Sequence, residues 1–148
     1  MKKFNKASLI YGSVGLLLFL LTIPTNFNLI GYNYSFDEES EVFTIQEGYF
    51  NKEYTPVHIT NDNASTLSLI ILSVAKADNI WIMNIFILSM FAAALFLLFN
   101  KSFKHSTKFS KKYILLYLVL FISFIIWDID VNLDSYQEVK HYVNELKR

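Results

Sequence analysis

The sequence predicts a membrane protein with an all-α core of three transmembrane helices, its N-terminus inside and its C-terminus outside. A small extracytoplasmic α+β segment and a C-terminal amphipathic helix complete the predicted fold. Three observations support this fold class. Three apolar runs divide the 148 residues, of which 53% are hydrophobic. The net charge changes sign from each segment between the runs to the next, and the longest of these segments is rich in aromatic and β-branched residues.

The apolar runs predict spanning helices at residues 8–24, 80–99 and 113–131. A spanning helix needs about 20 predominantly apolar residues, with a lower limit near 17. The second run contains no charged residue and meets that length outright. The first run is close to the lower limit, and the third reaches it only by including residues that follow Trp127. A soluble protein of this size could not bury three helices that are apolar on every face.

The first run follows a basic N-terminus, residues 1–7, whose three lysines also suit the start of a cleaved signal peptide. Cleavage needs small residues at alternate positions after the apolar stretch, but residues 22–27 read Thr-Ile-Pro-Thr-Asn-Phe. The sequence therefore favours an uncleaved anchor, with a cleaved signal peptide as the alternative.

The segments between the runs differ in charge. Residues 1–7 carry three lysines and residues 100–112 carry five, with no acid in either segment. By contrast, residues 25–79 hold eight acids and two bases, and the tail from Asp128 holds five acids and three bases. Short lysine-rich segments stay cytoplasmic, which places residues 1–7 and the basic loop 100–112 inside. The formal net charge of zero is then a cancellation between two faces of a membrane.

The extracytoplasmic segment 25–79 is too long to be a mere connection. Aromatic and β-branched residues concentrate at 28–36, 41–46 and 54–60, which predicts a small antiparallel sheet of two or three strands. Pro56 cannot donate a ladder hydrogen bond, so the third strand is confined to an edge or excluded from the sheet.

Two further helices are predicted outside the membrane. Residues 66–75 are apolar but too short to span, so we expect an interfacial helix over 65–77 that bends into the second span. The alternative is one unbroken helix over about 65–100. In the tail, residues 132–148, Ser135 and Glu138 fit a capping box that starts an amphipathic helix. Its apolar residues recur at helical spacing on one face: Val139, Tyr142, Val143 and Leu146.

Five residues are candidates for polar or interfacial roles. Asp128 and Asp130 end the third span, where carboxylates often mark proton or cation sites. They follow Trp127 at headgroup depth and point to different helix faces, which favours a solvated helix end over an ion site. Asn84 lies about one turn into the second span and is expected to bond between helices. Trp81 and Trp127 suit the outer interface, where indoles concentrate.

The sequence predicts no catalytic, cofactor-binding or metal-binding residue, and an enzyme is not expected. The chain has no cysteine, which excludes disulfides and thiol chemistry. Its zero net charge argues against a nucleic-acid partner. The spacing of His58 and His141 does not indicate a metal site. The acidic cluster at 37–41 is expected to be a solvated turn.

These observations predict a multi-pass membrane protein, with the lipid bilayer as its partner. Twelve lysines against one arginine is typical of an AT-rich, bacterial genome, so we expect the bacterial cytoplasmic membrane. Because the aromatic-rich sequence between the spans is nearly all expected outside and only lysine loops are expected inside, an accessory, regulatory or immunity-type role is expected, with an extracytoplasmic domain presented to a membrane or extracytoplasmic protein. The alternative is an oligomeric transport or channel subunit; the oligomeric state is not predicted.

Overall fold

The computed structural model describes residues 2–49, 51–99 and 111–147. It contains three long helices, which are α1 (Lys2–Thr25), α2 (Ala64–Phe99) and α3 (Lys111–Leu146). Three strands lie between α1 and α2 in the chain. All three helices are long and apolar enough to cross a membrane, judged by length and composition. The prediction of three long apolar helices is therefore confirmed.

The chain forms two compact units. The first, here called the helical unit, comprises Met1–Pro24 and Ile82–Ile129. The second, here called the α/β unit, comprises Thr25–Trp81 and Asp130–Arg148. Helices α2 and α3 each contribute one part to either unit.

Aromatic and small side chains pack the helical unit. Between α1 and α2, Phe19 and Phe86 make an edge-to-face contact with ring centroids 5.9 Å apart. A Cβ atom added at Gly15 would lie 3.3 Å from the Ser89 hydroxyl, so glycine allows α1 to approach α2 closely here. Between α2 and α3, the ring of Phe91 contacts three aromatic rings of α3: Tyr117, Phe121 and Phe124.

The three strands form an antiparallel sheet in the order β1-β2-β3, with β1 at Tyr32–Asp37, β2 at Val42–Glu47 and β3 at Glu53–His58. This confirms the predicted small sheet. The first strand begins later than the sequence predicts because residues 28–31 form a turn, in which Gly31 has a φ of +70°. Pro56 lies in an edge strand, where a missing N–H is tolerated.

One face of the sheet is covered by the α/β-unit parts of α2 and α3. The strands alternate between faces, and β2 accordingly buries Phe43 and Ile45 while its other residues are only partly buried. The remaining buried members of this core are Ile30, Tyr32, Leu67, Ile70, Val74, Ala77, Val139 and Val143. A sheet of three strands is marginal alone, so this helix layer is what stabilises it.

Helix α2 is continuous where the sequence favoured an interfacial helix over 65–77 and a separate span. The unbroken helix that stood as the alternative is the one observed. Two charged residues that predicted a break have polar partners within the α/β unit. The Lys76 ammonium lies 3.4 Å from a Glu138 carboxylate oxygen, and Asp78 accepts a hydrogen bond from Asn28.

Helix α3 is likewise continuous, so the prediction of a separate tail helix over 132–148 is corrected. Ser135 is not an N-cap: it is fully buried, and its hydroxyl donates to the Val131 carbonyl one turn earlier at 2.9 Å. No glycine or proline lies between 113 and 148 to end the helix. The predicted apolar stripe does face the core, with Val139 and Val143 buried. Residues 100–110 of the predicted basic loop lie outside the described residues.

Candidate functional site

Asn84 and Asp128 form a polar pair inside the helical unit. The Asn84 side chain is buried, and its Nδ2 donates to Asp128 Oδ1 at 2.5 Å, linking α2 to α3. Asn84 Oδ1 is also buried and has no hydrogen-bond partner among the described residues. The sequence identified both residues separately, and the structure brings them together across 44 positions of the chain. The geometry is that of an interhelical hydrogen bond.

The other three predicted candidates do not join this pair. Asp130 is exposed, two residues further along α3, on a different helix face. Trp127 is 41% exposed and lies beside Phe124, with ring centroids 6.1 Å apart. Trp81 is buried in the α/β unit and packs edge-to-face on Phe27 at 5.2 Å. The five candidates therefore do not form one site.

Asn28 joins three parts of the α/β unit through one buried amide. Its Oδ1 accepts from the Gly31 N–H at 2.9 Å, which closes the turn before β1. Its Nδ2 donates to the Tyr32 carbonyl at 2.7 Å and to Asp78 Oδ1 at 2.8 Å. The side chain is 1% exposed. Sequence reasoning missed this residue, since Asp78 lies 50 positions away and only Asn-x-x-Gly hints at a turn.

Tyr32, the first residue of β1, directly follows the turn that Asn28 holds. Its hydroxyl donates to Glu47 Oε1 at 2.7 Å, and its ring lies 5.8 Å from that of Tyr136 on α3. Burial, reinforced by the neighbouring Glu47 carboxylate, raises the pKa of the Tyr32 hydroxyl well above its ordinary value. Tyr32 therefore stays neutral and acts as a packed hydrogen-bond donor.

An apolar groove of about 390 Å³ opens at the other end of the same sheet face. Tyr34 and Phe36 of β1 contribute aromatic walls, and they remain 37% and 49% exposed. The start of α2 and the chain just before it contribute the opposite side. The lining residues are Tyr34, Phe36, Phe43, Ile59, Ala64, Leu67, Ser68 and Ile71. The sequence analysis predicted the strands but not this groove. The aromatic residues at 32, 34 and 36, which alternate along β1, could have indicated an aromatic sheet face there.

Acidic residues border the groove. Glu41 lines an adjoining recess of about 470 Å³ that shares Phe36, Ile59 and Ala64 with the groove. The end of β1 and the turn after it contain the other acids of the predicted cluster, all exposed: Asp37, Glu38 and Glu39.

Asp37 organises this acidic turn. Its carboxylate accepts the Ser40 hydroxyl at 2.6 Å and the Glu39 N–H at 3.1 Å. These two bonds favour the charged form and lower the pKa of the Asp37 carboxyl. The turn is therefore solvated and ordered, in agreement with its interpretation from the sequence.

Metal-binding geometry is not found in the described part of the chain. Within residues 2–49, 51–99 and 111–147, no group of three histidine, aspartate or glutamate side chains could hold a metal ion. His58 and His141 are both exposed, and His141 lies against the ring of Tyr142.

Comparison of the chain with models of protein families, with curated proteins and with solved structures gives no match. The functional argument below therefore rests on the residues and their geometry.

Replacing Asn28 with alanine is expected to destabilise the α/β unit by about 2 kcal/mol or more. The substitution leaves the Gly31 N–H, the Tyr32 carbonyl and Asp78 without their shared partner, and each buried unsatisfied group costs about 1–3 kcal/mol. Denaturant unfolding in detergent micelles measures the loss; it is followed by the fluorescence of Trp81 in a Trp127→Phe background, since the chain has two tryptophans. Asn33→Ala is the matched control, because that amide makes an exposed hydrogen bond. Equal effects of the two substitutions would contradict the role given to Asn28.

The Asn84–Asp128 pair is expected to show a coupling free energy of about 0.6–2 kcal/mol in a double-mutant cycle, the range for polar contacts between transmembrane helices. Single and double alanine variants are compared by unfolding in micelles. A second cycle, Ser89 with Asp128, serves as control because the Ser89 hydroxyl bonds within its own helix, to the Ile85 carbonyl. No coupling in the first cycle would show that the pair does not join the helices.

Proposed function

We propose that the chain is a non-enzymatic integral membrane protein that presents its α/β unit outside the cytoplasmic membrane to a partner protein. Residues 1–7 and 100–112 face the cytoplasm in this proposal. An accessory subunit, a regulator and an immunity-type protein are roles compatible with this arrangement.

Apolar surface supports the membrane assignment. The most hydrophobic windows of α1 and α3 have no buried residue, and that of α2 is only 17% buried. Large aliphatic side chains therefore point away from the protein along all three helices, among them Leu16, Leu20, Leu95, Leu116 and Ile122. In water this surface would be costly, at roughly 25 cal/mol for each Å² of apolar area, whereas lipid solvates it.

Charge supports the orientation. The α/β unit contains twelve of the thirteen acids of the chain and five of its thirteen bases. The remaining bases all lie in 1–7 and 100–112. Because short lysine-rich segments are retained in the cytoplasm, this partition favours an external α/β unit.

The single observation that carries the binding role is the open apolar groove on the α/β unit. Exposed apolar patches on a folded unit commonly mark interaction sites. Here Tyr34, Phe36 and Ile59 are exposed at the groove, although nearby residues of the same sheet face, such as Phe43, are fully buried.

Cysteine labelling tests the orientation directly, since the natural chain has no cysteine. Single variants Glu53→Cys and Glu145→Cys place a thiol on exposed positions of the α/β unit, and Ser106→Cys places one in the basic segment. A membrane-impermeant maleimide applied to intact cells is expected to label the first two variants. Ser106→Cys is expected to react only after the membrane is permeabilised.

The reverse labelling pattern would overturn the proposal, as would labelling of all three variants in intact cells. The unmodified chain is the background control, because it contains no thiol.

A further inference from the structure

We propose that the groove between β1 and the start of α2 binds a cationic amphipathic helix from a separate protein. This inference rests on the proposed function and names the class of partner that the α/β unit would take. The groove supplies apolar contacts, and the acidic residues around it select a partner with basic residues beside its apolar stripe.

The helix layer of the α/β unit is incomplete over β1. At one end of the strand, Tyr32 is fully buried and contacts Tyr136 of α3. Two and four residues further on, Tyr34 and Phe36 lie on the same sheet face but stay 37% and 49% exposed. An added helix laid over Tyr34 and Phe36 would extend the layer that already covers Tyr32.

The spacing of the lining residues suits such a helix. Tyr34 and Phe36 are two residues apart on a strand, which separates them by about 6.8 Å. On α2, Leu67 and Ile71 are one turn apart, or about 6 Å. Anchors at i and i+4 on a bound helix are also about 6 Å apart. Anchors at i, i+4 and i+7 are a usual pattern of helix-in-groove recognition.

The charge around the groove favours a basic partner. Glu41 lines the recess that adjoins the groove, and Glu38 and Glu39 lie in the turn that follows Phe36. These three carboxylates make no ion pair with the described residues. Lys52 bonds to the Thr25 carbonyl and Gln46, and Lys76 pairs with Glu138. Complementary charge steers association and excludes like-charged surfaces, including anionic lipid.

The partner is a separate molecule in the proposed topology. The lysine-rich segments of this chain, 1–7 and 100–112, would lie across the bilayer from the α/β unit. On the same side of the membrane a second copy would present only its α/β unit, in which twelve acids outnumber five bases.

A defined peptide tests the proposal. The full chain is placed in nanodiscs of zwitterionic lipid and titrated against a fluorescent peptide of about 18 residues, made of lysine with leucine and phenylalanine at i, i+4 and i+7. Fluorescence anisotropy measures the affinity. We expect saturable binding to the natural chain, at least about tenfold tighter than to empty nanodiscs.

A matched pair of variants tests whether the groove is the binding surface. Phe36→Ala is expected to weaken binding by about tenfold or more, because it removes an aromatic anchor. Tyr54→Ala, an exposed aromatic on the opposite sheet face, is the matched control and should bind like the natural chain.

Charge is tested in the same way. The triple variant Glu38→Gln, Glu39→Gln and Glu41→Gln is expected to weaken binding by about threefold to tenfold and to flatten its salt dependence. The control changes the same number of charges at exposed positions away from the turn: Glu53→Gln, Asp134→Asn and Glu145→Gln.

Several outcomes would overturn the proposal. These are equal binding of a scrambled peptide, equal binding of a glutamate-for-lysine peptide, and equal loss for Phe36→Ala and Tyr54→Ala. Equal affinity for empty nanodiscs would identify lipid as the peptide's target. Because the nanodisc assay exposes both faces of the membrane, a failure here leaves the orientation result from cysteine labelling intact.

Discussion

The buried amide of Asn28 is the interaction on which the α/β unit depends most. One side chain closes the turn at Gly31, holds the first carbonyl of β1 and reaches Asp78 on α2. It thereby fixes where the sheet meets the helix. The groove beside Phe36 lies further along the same strand, between β1 and the start of α2. A three-stranded sheet without such a link would be marginal.

Two other polar pairs also join separate elements within one unit. Asn84 bonds Asp128 across two apolar helices, and Lys76 pairs with Glu138 across the helix parts of the α/β unit. Both pairs join α2 to α3. In the proposed topology, α2 and α3 each supply both a lipid-facing span and part of the cover for an external sheet.

Local pattern predicts much of this fold, and long-range pairing explains the rest. The uncharged run at 80–99 predicts a helix, and the aromatic and β-branched residues at 41–46 predict the strand β2. Pro56 was predicted either at an edge or outside the sheet, and it lies in the edge strand β3. The prediction was wrong at Ser135, which fits a helix cap in the sequence but is fully buried in the middle of α3. Asn28 and Asp78 form a hydrogen bond although they are 50 positions apart in the chain, and no local sequence pattern predicts such a contact.

Hydrogen–deuterium exchange of the full chain in nanodiscs tests most directly whether this attachment holds the sheet on α2. Asp78→Ala removes the acceptor for Asn28, whereas Asp78→Asn keeps an oxygen in the same place. We predict that Asp78→Ala speeds exchange of the amides of 28–37 by about tenfold or more, that Asp78→Asn restores most of the protection, and that 82–99 is unaffected. Unchanged exchange of 28–37 in Asp78→Ala would contradict the account.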